Sequence, residues 1–239
     1  MTSRLKNGGM AENPRWLVAD QIADAVRERY AKDVLAIGVY GSMAHGDDTD
    51  TSDVGLIVAT HRPGTGPRPS ARRLDGVLVD LGVVGSGEYL THARTLSMSW
   101  PLAADRYVTT KALFDPDGWF EVVRDTHLAR LAEAGAGEFS ALAREAWCRA
   151  GAAHGRALRL AGWYDTDGAL AALGESRVAT AMATGLLART YFRNVADAVT
   201  RTGVAAMDVG QVGDHLGGLA EELARRGRPV DGTIADLLT

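Results

Sequence analysis

GSMAHG, residues 41–46, is the stretch that decides the fold of this chain, together with SDVGLIV at residues 52–58. The β-branched run at 34–40 leads into the first stretch, and the second stretch opens another apolar run. Short runs of this kind, bounded by Gly, Ser and Asp, are typical of strands, so we predict two strands joined through a Gly-Ser turn. A glycine that ends a strand lets the backbone approach a polyphosphate, because no Cβ stands in the way. The order therefore indicates a phosphate-binding turn followed by a strand that begins with an acid.

Acidic side chains mark the second predicted strand and a third one at residues 77–84. Successive side chains of a strand alternate faces, so Asp53 and residue 55 point the same way, and two carboxylates there could hold Mg²⁺. Residue 55, however, is a glycine. Asp80 is the one charged residue of the third strand, and a lone acid in a buried strand is unfavourable unless it meets a cation or a donor. Asp53 and Asp80 are therefore the candidate metal ligands.

Two alternatives to this metal site stay open. Asp80 could be a salt-bridged acid, with these candidate partners: Arg72, Arg73 and Lys111. The missing carboxylate could come from the loop before the second strand, whose acids are Asp47, Asp48 and Asp50. That loop would have to fold back over the site, so the second alternative needs an awkward geometry.

The order of strand, Gly-Ser turn, polar spacer and Ser-Asp strand resembles the signature of the nucleotidyltransferase superfamily, whose second strand usually reads Ser-Asp-x-Asp or Ser-Asp-x-Glu. Further along, SWPL at residues 99–102 and DPDGWF at 115–120 resemble the kanamycin nucleotidyltransferases, which are aminoglycoside 4'-adenylyltransferases. The resemblance implies an α+β fold. It places a nucleotidyltransferase-like domain with a mixed β-sheet at 1–125 and a helical-bundle domain at 126–239.

The resemblance also implies roles for single residues of the first domain. Gly41, Ser42 and His45 would hold the triphosphate of ATP or of another nucleoside triphosphate. Asp53 and Asp80 would bind Mg²⁺. For His45 the alternative is a plain surface position in the turn, because only a protonated imidazole attracts phosphate.

In the second domain the resemblance implies that Glu145 deprotonates the acceptor and that Arg149 faces the phosphate. An i,i+4 ion pair of these two residues on a solvated helix face is the alternative. The implied reaction transfers a nucleoside monophosphate from the magnesium complex of a nucleoside triphosphate to a hydroxyl of an aminoglycoside-like small molecule. Antibiotic resistance or natural-product biosynthesis would be the setting, and the resemblance further implies a homodimer.

Gly55 is the departure from the family pattern that bears most on function. Removing a group that acts on transition-state charge commonly lowers the rate by about 10²–10³. A fold does not determine its function. The alternative function is therefore that of a repurposed scaffold, either a ligand-binding protein or a metal-independent biosynthetic enzyme.

Composition narrows the class of protein and its partners. The 239 residues carry a formal net charge of −4, and they contain no basic stripe with interleaved aromatics, which argues against a nucleic-acid partner. Cys148 is the single cysteine, so the chain has neither a disulfide framework nor a zinc set. Without a leader or an apolar run of membrane length, we expect a cytoplasmic protein that contacts no membrane and takes a small-molecule acceptor.

Hydrophobic periodicity predicts the remaining elements. An amphipathic helix starts at Pro14, a loop or lid covers 61–70, and a further strand spans 107–114. After Gly118 the chain becomes rich in Ala and Leu with helical period. The helices predicted there are 119–134, 139–162, 169–197 and 212–226.

Overall fold

The structure, a computed structural model, describes residues 13–238 of the chain. Residues 1–12 and residue 239 lie outside the described part. Contacts divide the chain into two compact units, each with its own hydrophobic core. The units are residues 13–92 with Arg106–Asp125, and Ala93–Asp105 with residues 126–238.

This division differs in one segment from the predicted domains at 1–125 and 126–239. Ala93–Asp105 belongs to the second unit, although it precedes Arg106–Asp125 in the chain. Trp100 and Ala104 explain the difference, because both are buried in the core of the second unit. The two domains otherwise stay a prediction, and their outer ends lie outside the described residues.

The first unit is built around a sheet. Its elements in chain order are α1 (Pro14–Tyr30), β1 (Val34–Tyr40), α2 (Ser42–His45), β2 (Val54–Thr60), β3 (Ser70–Leu74), β4 (Val77–Gly85), α3 (Ser86–Ala93), α4 (Trp100–Thr109), β5 (Lys111–Phe114) and α5 (Trp119–Glu133), of which α4 and α5 contribute to both units. Among the described residues the sheet has five strands in the order β3-β4-β2-β1-β5. The pair β2–β4 is parallel and the other pairs are antiparallel. The predicted α+β fold with a mixed sheet is therefore confirmed.

One face of the sheet is apolar and packs against α1. That helix begins at Pro14, whose missing N–H is not needed in a first turn, and Asn13 caps it by accepting a hydrogen bond from the Arg15 N–H. Buried residues of the helix and the strands form two clusters on this face, one of which contains Val18, Ala19, Val39, Val54 and Leu56. Because side chains alternate along a strand, the residues between these strand positions point to the other face, where the candidate site lies.

The second unit is helical, as predicted. After α5 it contains α6 (Ala136–Gly162), α7 (Thr166–Ala188), α8 (Val195–Arg201), a 3-10 turn (Val204–Ala206), α9 (Val209–Arg225) and α10 (Ile234–Leu237). The side of α6 that faces the core carries small buried residues, so that neighbouring helices approach closely: Ala143, Ala146, Ala150, Ala153 and Ala157. Within residues 13–238, no helix combines the length and the apolar character that a membrane crossing requires.

The strand predicted at 107–114 was wrong over half its length. Helix α4 continues to Thr109, and only Lys111–Phe114 is a strand. Pro101 near the start of α4 favours a first helical turn, and packing in the two units overrides the strand propensity of the Tyr-Val-Thr run that follows. The local sequence pattern is therefore insufficient to assign the secondary structure at the start of this segment.

Two further elements were missed or merged. All residues of β3 are exposed. An exposed strand needs no alternation of apolar and polar residues, and the sequence of β3 has none. Only its pairing with β4 defines it as a strand. The helix predicted at 169–197 is two helices, because Arg189 adopts a left-handed φ of 51° that ends α7. The chain then resumes as α8 after the cap Asn194.

A buried histidine joins three segments of the second unit. His127 on α5 has no exposed surface. Its Nε2 lies 3.2 Å from the Trp100 Nε1, and its Nδ1 lies 2.8 Å from the Ala93 carbonyl oxygen. An indole N–H can only donate, so Nε2 accepts and Nδ1 carries the proton. Burial lowers the pKa of His127, and the Ala93 carbonyl opposes that shift only in part.

We expect the free energy of unfolding to fall as the pH drops below about 6.5, the ordinary pKa of histidine. The pKa of His127 is depressed in the folded state, so the unfolded chain takes up the proton first. The stability that neutral His127 contributes is fully present above the unfolded-state pKa, and it is lost as the pH falls through the folded-state pKa. Urea denaturation across this range measures it, with His127→Leu as the control. Equal pH dependence in the two proteins would contradict the assignment.

Candidate functional site

Three strands of the first unit bring Tyr40, Gly55 and Asp80 side by side. Tyr40 at the end of β1 pairs with Gly55 on β2, and Gly55 pairs with Asp80 on β4. Paired residues of neighbouring strands point to the same face, so the three positions form one row across the sheet. We call it the Tyr40 row. The missing carboxylate and the predicted metal ligand Asp80 thus belong to one local arrangement.

The ring of Tyr40 occupies the space that a side chain at position 55 would need. A Cβ added to Gly55 would lie 2.7 Å from Cε2 and 2.9 Å from Cζ of Tyr40. Real Cβ atoms essentially never come so close to another heavy atom. A side chain at position 55 therefore requires the Tyr40 ring to shift, and the present arrangement has no room for a second carboxylate on β2.

Tyr40 also forms a hydrogen bond with Asp80, the acid at the other end of the row. Its hydroxyl donates a hydrogen bond of 2.7 Å to Oδ2 of Asp80. Burial, then the hydrogen bond to Asp80, raises the pKa of Tyr40 to about 12, although Arg106 lowers it. Tyr40 therefore stays a protonated donor at neutral pH. Asp53 contributes a further increase of this pKa, so its carboxylate acts on the same hydroxyl.

The surroundings of Asp80 differ from those that the sequence indicates. The side chain is exposed on a strand that is only partly buried, so burial does not demand a cation there. Its partner is the Tyr40 hydroxyl. In the described part of the chain, no ion pair joins Asp80 to any of the predicted partners Arg72, Arg73 and Lys111. The salt-bridge alternative was wrong, and the metal role stays a prediction.

The three predicted phosphate-binding residues lie in one turn directly after Tyr40. Gly41 has a φ of 76°, a conformation that favours glycine, and no atom lies within 4 Å of the position its Cβ would take. Ser42 and His45 are the first and last residues of the short helix α2, and both are partly exposed. Asp53 is exposed and stands immediately before β2. The turn thus offers an open backbone surface next to the two acids.

Two of the three acids of the preceding loop, Asp48 and Asp50, are engaged elsewhere. Asp48 accepts a hydrogen bond of 2.6 Å from the Asn13 side chain, and Asp50 lies 3.9 Å from the guanidinium of Arg15. Both contacts tie the loop to the start of α1. These acids therefore do not replace the carboxylate that is missing at Gly55.

The donor set fits one magnesium ion and does not fit two. Among residues 13–238, no group of three or more His, Cys, Asp or Glu side chains is placed to hold a metal ion. Mg²⁺ can be held by one or two carboxylates with water and phosphate in its other positions, and Asp53 and Asp80 meet that need. A two-ion centre needs more carboxylates than the Tyr40 row offers.

Glu145 and Arg149, the predicted base and its partner, lie on α6 in the second unit and are both exposed. Within the described residues no ion pair joins them, although both lie on a solvated helix face as the alternative predicts. Arg149 lines a cavity of about 680 Å³ between α6 and α7, next to the ion pair of Arg156 and Glu175. The catalytic roles of Glu145 and Arg149 stay predictions.

The predicted loop at 61–70 lies at the far end of β2. With Thr60, Tyr89 and the end of β4 it lines a cavity of about 730 Å³. Asp53 precedes the first residue of β2 and Thr60 is its last, which separates the two by roughly 20 Å of strand. The loop is therefore part of another cavity and does not act as a lid over the acids.

No protein-family model matches the chain, and the comparison with curated proteins finds no similar sequence. Among solved structures, the crystal structure of a nucleotidyltransferase-like protein from Exiguobacterium sibiricum is similar to this chain, with a TM-score of 0.43 and 14% sequence identity. The match covers 87% of this chain and 75% of that chain. A likeness of this degree identifies neither a substrate nor an activity, and the resemblance to kanamycin nucleotidyltransferases stays a prediction.

Proposed function

We propose that this chain binds a nucleoside triphosphate on a nucleotidyltransferase-like scaffold and lacks two-ion transfer chemistry. The ring of Tyr40 carries the proposal, because it fills the space above Gly55 that the second carboxylate of a Ser-Asp-x-Asp strand needs. The hydrogen bond from Tyr40 to Asp80 holds the ring there. The function is then that of a repurposed ligand-binding protein.

The residues of the first unit support nucleotide binding in two ways. Gly41 opens the backbone of the turn, and Ser42 adds a hydroxyl and an N–H that can donate to phosphate oxygens. Asp53 and Asp80 would hold one Mg²⁺, which offsets phosphate charge when bound. ATP is the nucleotide that we propose to test first.

Calorimetric titration of the full chain with ATP and Mg²⁺ tests the binding step. We expect saturable binding at or below millimolar nucleotide, and weaker binding to Asp53→Asn, because that substitution removes one carboxylate of the metal site. The matched control is Asp33→Asn, since Asp33 also lies in the first unit but precedes β1, at the opposite end of that strand from Tyr40. Absence of binding at millimolar ATP would overturn the proposal.

Transfer of the nucleotide to a hydroxyl of an aminoglycoside-like molecule is the second candidate function. One observation favours it: Asp53 and Asp80 are both exposed, and Asp53 directly precedes the strand whose Gly55 pairs with Asp80. Glu145 as the base, Arg149 as its partner and a homodimeric state belong to this second proposal.

A single-turnover assay with α-labelled ATP and a mixed aminoglycoside panel separates the two functions. If the first proposal holds, the chain binds ATP and no label reaches an acceptor. Label on an acceptor would establish transfer and would refute the claim that the Tyr40 row has lost this chemistry. Glu145→Gln and Arg149→Gln would then test the two predicted roles.

A further inference from the structure

An arginine lies over the Tyr40 ring. The Cζ of Arg106 is 4.1 Å from the ring centre of Tyr40, at the distance of a cation–π contact. Within residues 13–238 its guanidinium forms neither an ion pair nor a hydrogen bond. The side chain is exposed, so its N–H groups are accessible to a ligand. A fixed and unpaired guanidinium is suited to bind an anion with two oxygens.

A buried donor without an acceptor belongs to the same neighbourhood. Tyr89 on α3 is only 8% exposed, and its ring packs 5.3 Å from the ring of Tyr107. The Tyr89 hydroxyl has no hydrogen-bond partner in the described part of the chain. Arg106 and Tyr40 both act electrostatically on that hydroxyl, so it lies within range of the same cation. A buried hydroxyl without a partner is unfavourable, so the charge of Arg106 nearby partly offsets its burial.

The same face of the sheet has room beside these groups. Gly82 follows Asp80 by two residues on β4 and therefore points to the same side. A Cβ at Gly82 would meet only the Leu56 carbonyl oxygen, at 3.5 Å. A ligand can therefore approach the sheet closely next to Asp80.

We propose that Arg106 binds the polyphosphate of the nucleotide and offsets the charge that a second Mg²⁺ neutralises in two-ion transferases. The inference rests on the proposed function, since it assumes a nucleotide in the first unit. Tyr40 positions the guanidinium through its ring.

The charges around the row make this binding depend on one magnesium ion. Asp53 and Asp80 carry two negative charges against the single positive charge of Arg106, so a polyphosphate alone is repelled. One Mg²⁺ between the acids reverses the balance, and the ion and Arg106 then attract phosphate together. EDTA and the loss of Arg106 should therefore each weaken binding.

Titration calorimetry with ATP and with inorganic tripolyphosphate, each in the presence of Mg²⁺, tests the proposal on the full chain. Loss of a charge-assisted contact predicts that Arg106→Gln weakens binding of both ligands by about tenfold or more. Arg27→Gln is the matched control and should bind as the wild type does. Arg27 is also stacked on a ring of the first unit, with its Cζ 4.6 Å from the ring centre of Phe114, but it lies outside the Tyr40 row.

The outcomes distinguish the two proposals. Unchanged affinity in Arg106→Gln, with ATP still bound, overturns the inference and leaves the proposed function in place. Binding of tripolyphosphate that needs Arg106, without binding of ATP, supports the phosphate site and overturns the nucleotide function. Binding of neither ligand to the wild type overturns both. Equal melting temperatures of the variants show that a loss of affinity is not a loss of fold, and Arg106→Lys, which keeps the charge, should recover part of the affinity.

Discussion

Replacing Gly55 by aspartate is expected to destabilise the protein by about 3 kcal/mol and to produce no nucleotidyl transfer. The new Cβ would lie 2.7 Å from the Tyr40 ring. The ring can move only by giving up its hydrogen bond to Asp80 and its stacking with Arg106. The added carboxylate would also face Asp80 across the β2–β4 pair, where like charges repel.

Chemical denaturation of a double-mutant cycle measures this coupling. Tyr40→Ala removes the ring, so Gly55→Asp should be tolerated better in that background, with a coupling of about 2 kcal/mol. Gly55→Ala against Gly82→Ala isolates the steric part, because a Cβ at Gly82 meets only one carbonyl oxygen at 3.5 Å. Additive effects of Tyr40→Ala and Gly55→Asp would show that the ring does not occupy this space.

The same cycle tests how the site relates to transfer chemistry. Only the variant that combines Tyr40→Ala with Gly55→Asp has both the second carboxylate and the room for it. Transfer of label from ATP should therefore be sought in that variant and not in Gly55→Asp alone. Transfer by the single variant would mean that the Tyr40 ring moves aside readily. That result would contradict the packing argument.

Replacing His127 by leucine is expected to lower the free energy of unfolding by about 3 kcal/mol. Leucine has a similar volume, so the loss comes from hydrogen bonds. Trp100 Nε1, which donates to His127, and the Ala93 carbonyl oxygen would both lose this partner in a buried place. Each buried polar group left without a partner costs about 1–3 kcal/mol.

Urea denaturation at pH 7.5, above the ordinary pKa of histidine, measures this loss without the effect of histidine protonation on stability. Trp100→Phe removes the donor as well as indole volume, so the matched experiment is the cycle of Trp100→Phe and His127→Leu. We expect His127→Leu to be less destabilising in the Trp100→Phe background. An equal effect in both backgrounds would mean that the bond between the two rings contributes nothing to stability.

Much of the fold could be predicted because its patterns are local. The β-branched run of β1 and the helical period of α1 and α6 depend on neighbours a few residues away. The same local patterns place Asp53 at the start of β2 and Asp80 within β4. β3 and α4 could not be predicted in this way, because an exposed edge strand has no apolar alternation and packing overrides the propensity of a short β-branched run.

The candidate site was predicted only in part, for a different reason. Gly55 is visible in the sequence as a missing carboxylate, but the sequence does not show what takes its place. Tyr40 lies 15 positions earlier and reaches Gly55 through the antiparallel register of β1 and β2. Arg106 comes from helix α4, which local pattern did not predict and whose last residues it assigned to a strand. Neither residue has a functional signal of its own.

The sequence by itself determined β1, β2 and β4, the Gly-Ser turn and the acids of this protein, since these depend on residue type and short-range periodicity. The tertiary structure alone decided that a tyrosine ring fills the space of the missing carboxylate, that its hydroxyl binds Asp80 and that an arginine covers the ring. Strand register and helix packing bring these side chains together across long sequence separations, and no local pattern encodes such distances.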